Sequence, residues 1–211
     1  MGLRDRKKEQ TRRRITETAH RLFGERGFDG VTVAEVARAA EVAEATLFNY
    51  FPTKEHLFYS GLEAFGARLL DAVRGRPAGD SAVAAVRTVV LGDGGQLDRI
   101  SAGDRQALEQ ARTTARVISS SLALRARERQ VLAGIADELA VLLGDGGDGP
   151  VAQAVANALM GVHGALVEYA RHRLLADDRP AEIAADVRRF GAHAFGLLEH
   201  GLADFGRTPP G

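Results

Sequence analysis

Between Ala43 and Lys54 the chain reads AEATLFNYFPTK. A hydroxyl (Thr46), an amide (Asn49), a phenol (Tyr50) and an ammonium (Lys54) stand close together, interleaved with the ring of Phe48. No nucleophile–base pair and no metal-ligand set is among them. They offer donors, acceptors and an aromatic face, which is the chemistry of nucleic-acid recognition. Thr46 and Tyr50 can donate to phosphate oxygens, Asn49 can meet a base edge, and an apolar ring can touch a thymine methyl. The small side chains of Ala43 and Ala45 let a backbone approach bases closely. Glu44 would repel phosphate but could accept from a cytosine amino group. Lys54 falls where a further helix begins, and free backbone amides there also attract phosphate.

This use requires a helix with two distinct faces. Residues 44 to 51 provide one: Leu47 and Phe51, four apart, share the side that must be buried. Phe48, Asn49 and Tyr50 are left on the exposed side. Pro52 ends the helix because it lacks a donor and clashes with the preceding turn. Before it, Ile15, Ala19, Leu22 and Phe23 keep helical spacing, which predicts an amphipathic helix over about 10 to 26. Gly27 is placed to terminate it. Thr32 and Glu35 form a capping box for a short second helix ending near Ala40, with Val33, Val36, Ala37 and Ala40 inward. Its tight turn into the next helix is helix-turn-helix spacing. Thr53 can cap a long helix from Lys54 to about Arg74, with Phe58, Leu62, Phe65 and Leu69 as its apolar stripe.

Residues 15 to 58, ITETAHRLFGERGFDGVTVAEVARAAEVAEATLFNYFPTKEHLF, resemble the DNA-binding domain of the TetR family of transcriptional regulators. The resemblance implies an all-α protein: an N-terminal three-helix helix-turn-helix DNA-binding domain and a C-terminal helical ligand-binding and dimerisation domain. It implies that Thr32 anchors to backbone phosphate and that Ala43, Glu44, Ala45, Thr46, Phe48 and Asn49 face the major groove. Tyr50 and Lys54 would grip phosphates. This chain departs from the family pattern at Glu41, where glycine is common, at Ala43, where serine is common, and at Phe48, where tyrosine is common. The expected division is 1–53 for the basic arm and DNA-binding domain and 54–74 for a connecting helix. A ligand-binding and dimerisation domain would occupy 75–206, and 207–211 would be a disordered tail.

Beyond residue 75 the chain is rich in alanine, leucine and glycine, with helices expected at about 80–91, 104–118, 121–143, 150–175 and 181–205. "RGRPAGD" and "GDGGQLDRISAGD" read as loops. The last two helices are apolar and suit a four-helix seam between two copies, with Val155, Leu159, Phe190, Ala194 and Leu198 as its candidates. Arg112, Thr113, Arg116, Asn157, Met160 and His163 are polar or adaptable groups on apolar helices, and so candidates to line a ligand cavity.

Composition sets the outer limits. There are no cysteines, so disulfide and thiolate chemistry is excluded. Formal net charge is zero, but residues 1 to 14 carry seven basic against two acidic side chains, +5, leaving −5 for the rest. A basic arm ahead of a mildly acidic body points to a polyanion at one end. The charged start is unlike a signal peptide, and no uninterrupted apolar run reaches the ~18 residues of a membrane span. A cytoplasmic chain without membrane attachment is the expectation. An enzyme would need an acid/base or metal constellation; His193 and His200 on one helical face are a weak pair, so no metal, cofactor or catalytic role is expected. A helical adaptor for other proteins is the remaining alternative, in which the basic arm would be incidental. The expected partners are an operator duplex, a small effector and a second copy of the chain.

Overall fold

The computed structural model describes residues 2–92, 95–144 and 149–201. Among the described residues there are ten α-helices and no strand: α1 (Leu3–Arg26), α2 (Val33–Ala39), α3 (Glu44–Tyr50), α4 (Lys54–Arg74), α5 (Ala82–Leu91), α6 (Gln96–Ser101), α7 (Arg105–Ser120), α8 (Leu122–Leu143), α9 (Gly149–Leu175) and α10 (Pro180–His200). They form two compact units. The first is Met1–Ala64 with Gln110–Gln130; the second is Phe65–Glu109 with Val131–Gly211.

In the first unit, α1 begins well before the expected start near residue 10. Its early turns are arginine, lysine, glutamate and glutamine, all good helix formers. Asp5 accepts from the Gly2 amide at 3.0 Å, and Arg13 pairs with Glu9 at 3.1 Å one turn away. Ile15 is the first core residue, so residues 3–14 form a basic helical extension about 18 Å long at 1.5 Å per residue. Gly27 stops the helix with φ 74°, a conformation suited to glycine. The α2–α3 turn has no glycine, and Glu41 adopts φ 53° in its place. Ala43 caps α3 without a side-chain hydrogen bond.

The core of this unit joins Ile15, Ala19 and Phe23 of α1 to Val36 and Ala37 of α2, Leu47 and Phe51 around α3, and Leu57 and Phe58 of α4. Val117, Ile118 and Leu124 complete it from α7 and α8. A boundary at residue 53 thus falls inside the unit. A Cβ at Gly24 would lie 2.5 Å from the Thr113 methyl, so glycine is what lets α1 and α7 pack this closely.

In the second unit α10 packs on α9, α5 and α6, and α5 also touches α9. Gly191 makes this possible, since a Cβ there would meet Leu91 at 2.5 Å and Leu166 at 3.0 Å. Arg87 and Glu199 tie α5 to α10 at 3.1 Å, and the Tyr169 hydroxyl donates to Asp186 across α9 and α10 at 2.8 Å. The stretch read as loop around residue 96 contains α6 instead. Asp98 accepts from the Gly95 amide at 3.2 Å and Ile100 is buried, so one cap and one apolar anchor suffice for a short helix. α9 is long and apolar enough, by length and composition alone, to cross a bilayer. The tail at 207–211 lies outside the described residues, as does the end of the helix expected over 181–205.

Candidate nucleic-acid interface

Helix α3 is held by one face. Leu47 is fully buried and Phe51 is 1% exposed, while the adjacent Phe48 remains 46% exposed. Arg12 reaches across from α1 and places its guanidinium 4.8 Å from the centre of the Phe51 ring. Ala43, Glu44, Ala45, Phe48 and Asn49 are exposed; Thr46 is half-buried. Tyr50 is half-buried and packs against the core, so it is less open than the spacing predicts.

The α2 N-terminus is closed by reciprocal bonds. The Thr32 amide and hydroxyl donate to Glu35 at 2.8 and 2.9 Å, and the Glu35 amide donates back to the hydroxyl at 3.3 Å. Arg26 adds an ion pair to Glu35 at 2.8 Å. The Thr32 amide, then Arg26 and the Thr32 hydroxyl, hold the Glu35 carboxyl down at about 2.

Lys54 does something the sequence did not suggest. Its Nζ donates to the Phe28 carbonyl at 2.8 Å and the Val31 carbonyl at 3.0 Å, and lies 4.1 Å from the centre of the Phe28 ring. Two of its three protons are therefore committed to the loop before α2. The expected phosphate grip leaves it only the third.

The ligand candidates fall in both units. Arg112, Thr113 and Arg116 belong to the first unit, and Asn157, Met160 and His163 to the second. Thr113 is spent on packing against Gly24 and accepts from Arg116 at 3.2 Å. Asn157 is exposed and accepts from Gln153 at 3.3 Å, and Met160 is buried. His163 stacks on Phe65 with ring centres 4.4 Å apart, and burial lowers its pKa to about 4, so it is neutral at pH 7.

The seam candidates fare differently. Val155 and Leu198 line an apolar groove of about 410 Å³ with Val83, Pro150, Val151, Ala154 and Ala158. Phe190 is 42% exposed, and Ala194 is half-buried one turn from Leu198. Leu159 reaches the groove but is fully buried in its own chain, so it cannot face a second copy directly. His193 and His200 are both exposed, and no group of three His, Asp or Glu among the described residues could hold a metal ion.

Residues 15–60 match the family described as bacterial regulatory proteins, tetR family. The HTH-type transcriptional regulator TcmR of Streptomyces glaucescens is 35% identical over 85 residues, 40% of this chain and 38% of that protein. The HTH-type transcriptional repressor KstR of Rhodococcus jostii (strain RHA1) is 40% identical over 53 residues, 25% of each chain. The similarity thus spans well under half of these curated relatives. The fold extends further: a transcriptional regulator FadR from Bacillus subtilis, solved in complex with stearoyl-CoA, superposes with a TM-score of 0.51 at 19% identity over 89% of this chain and 97% of that one. The matched segment takes in the second half of α1, all of α2 and α3 and the start of α4, so over its helix-turn-helix this chain is similar to the tetR family of bacterial regulatory proteins.

Proposed function

We propose that this chain is a sequence-specific DNA-binding repressor that works as a homodimer in the cytoplasm and leaves its operator when a small, largely apolar ligand binds. The observation that carries the reading is the split on α3: Leu47 buried, Phe48 nearly half exposed beside Asn49. An aromatic and an amide kept out of the core of a small domain need a partner that uses both. In this reading Ala43, Glu44, Ala45, Thr46, Phe48 and Asn49 meet base edges and Tyr50 touches phosphate, while Thr32, whose amide and hydroxyl both donate to Glu35, holds the start of α2 in place. The basic extension of α1 adds charge that is independent of sequence.

Two copies are required because two recognition helices must enter successive major grooves ~34–36 Å apart. The apolar groove holding Val155 and Leu198, with Phe190 farther along α10, supports a seam there. A ligand switches such a dimer only through its differential affinity for two geometries; a coupling of ~1–3 kcal/mol changes operator affinity ~5–150-fold. An apolar effector follows from the alanine- and leucine-rich helices of the second unit.

Selection of genomic fragments by the purified full chain tests the reading. The retained fragments should share a pseudo-palindrome with half-sites one helical turn apart. Leu198→Arg should sediment as a monomer and retain operator poorly, because a charge would stand in the seam. A Leu198→Arg variant that stays dimeric would move the seam elsewhere.

A further inference from the structure

Three side chains of the first unit, Thr53, His56 and Arg127, form one hydrogen-bonded series, and Glu63 is ion-paired to its end. His56 Nδ1 lies 2.9 Å from Thr53 Oγ1, and His56 Nε2 lies 2.8 Å from Arg127 Nη2. The same Arg127 nitrogen stands 3.5 Å from Glu63 Oε1. A guanidinium only donates. His56 Nε2 must therefore accept, which leaves the ring proton on Nδ1, aimed at the Thr53 hydroxyl oxygen. That oxygen also accepts from the His56 amide at 3.3 Å, the bond that starts α4. The series thus runs from α8, through the imidazole, to the first turn of α4.

Position gives this series its meaning. Only Phe51, Pro52 and Thr53 separate α3 from α4. Phe51 is buried and Pro52 is stiff, so the start of α4 fixes where α3 ends and how it is pitched. A parallel tie strengthens the join: the Tyr59 hydroxyl donates to the Leu124 carbonyl at 3.0 Å.

Arg127 is a poor choice for stability alone. Its side chain is 25% exposed, its Nε is buried with no acceptor among the described residues, and Glu63 stands off. A buried N–H donor left without an acceptor is a net cost, which an apolar side chain of similar bulk would avoid.

We propose that Arg127 and His56 are positioning residues for operator recognition: Arg127, far outside the matched segment 15–60, orients His56, which holds Thr53 and so sets the pitch of α3. The proposal rests on the DNA-binding reading above. Neither residue touches DNA.

The test measures binding of the full chain to a duplex from the genomic selection, across a range of salt, with thermal melts alongside. Arg127→Met and His56→Leu should each weaken specific binding about tenfold, the loss of one charge-assisted hydrogen bond, with salt slope and binding to random duplex unchanged. The double variant should be no weaker than either single one, because both break the same series. His56→Gln, which keeps an acceptor for Arg127, should bind within about twofold of the wild type. It carries the test even if Arg127→Met fails to fold, since His56→Leu and His56→Gln differ chiefly in that acceptor. Equal binding by those two variants would overturn the proposal, as would multiplying effects in the double variant. A salt slope lowered by about one in Arg127→Met would make Arg127 a direct phosphate contact and overturn it too. A wild-type chain that retains no genomic duplex removes the DNA-binding reading itself, a result distinct from wild-type binding with unaffected variants.

Discussion

Consecutive residues of α3 live in opposite surroundings, Leu47 fully buried and Phe48 46% exposed. Along α9 the contrast is blurred. Val151, Val155 and Val167 are 62, 39 and 36% exposed, interleaved with buried Ala152, Ala156 and Leu159. Both helices present apolar atoms to the outside, but on α3 a ring, an amide and a hydroxyl stand together within four residues, whereas the groove along α9 is lined by Pro150, Val151, Ala154, Val155 and Ala158. A surface that combines rings, amides and hydroxyls specifies a chemical partner. A surface of valine and alanine specifies only burial, which is what a seam between like copies requires.

The sharpest way to break the contrast is to truncate neighbours. Leu47→Ala should cost ~2–5 kcal/mol of stability, as a fully buried leucine does. Phe48→Ala should leave stability nearly unchanged yet weaken specific DNA binding. Denaturant melts of both variants check this, and a large stability loss at Phe48 would place that ring in the core.

Next in size is Lys54. Lys54→Met removes two charge-assisted bonds to the Phe28 and Val31 carbonyls and should cost ~1–3 kcal/mol of stability. The salt slope of DNA binding should stay as it is. A slope lowered by about one would restore the phosphate grip expected from the family pattern.

Glu41 is the third lever. Its φ of 53° lies in the left-handed region that disfavours side chains. Glu41→Gly should raise stability by roughly 0.5–1 kcal/mol, read as a higher melting temperature. A lower melting temperature would mean that the glutamate side chain supports the turn.

The smallest effect concerns acid. The folded Glu35 carboxyl sits at about 2, below its unfolded value. Its contribution is therefore complete above the unfolded carboxylate value of ~4.3 and is lost as pH falls toward 2. Glu35→Gln should flatten the acid limb of the melting curve in that window. An unchanged limb would show that the capping box does not respond to the charge.

How far the sequence could be read follows the range of each interaction. The Thr32–Glu35 box, the Gly27 stop and the Leu47–Phe51 face depend on partners a few residues apart, and all are present in the structure. The two carbonyl bonds of Lys54 are not legible in the sequence because their acceptors lie 26 and 23 residues earlier, where no periodicity points to them. The His56–Arg127 bond spans 71 residues and carried no local signal. The early turns of α1 add no residue to the apolar core and so show no apolar stripe; side-chain propensities hold the only clue to them. Thr113 looked like a pocket residue for the opposite reason: a polar name on an apolar helix says nothing of the glycine it packs against.

In the proposed function, the exposed face of α3 reads DNA sequence. Competition between a selected genomic duplex and a scrambled duplex of equal length, for wild type and Asn49→Ala, tests it most directly. The wild type should prefer the selected duplex by ~10³-fold or more, with affinity for both falling steeply as salt rises. Asn49→Ala should lose ~1–3 kcal/mol of that preference at one base position while keeping the salt slope. Equal affinity of the wild type for both duplexes, or an Asn49→Ala variant with undiminished preference, would contradict the assignment of α3 as the reading helix.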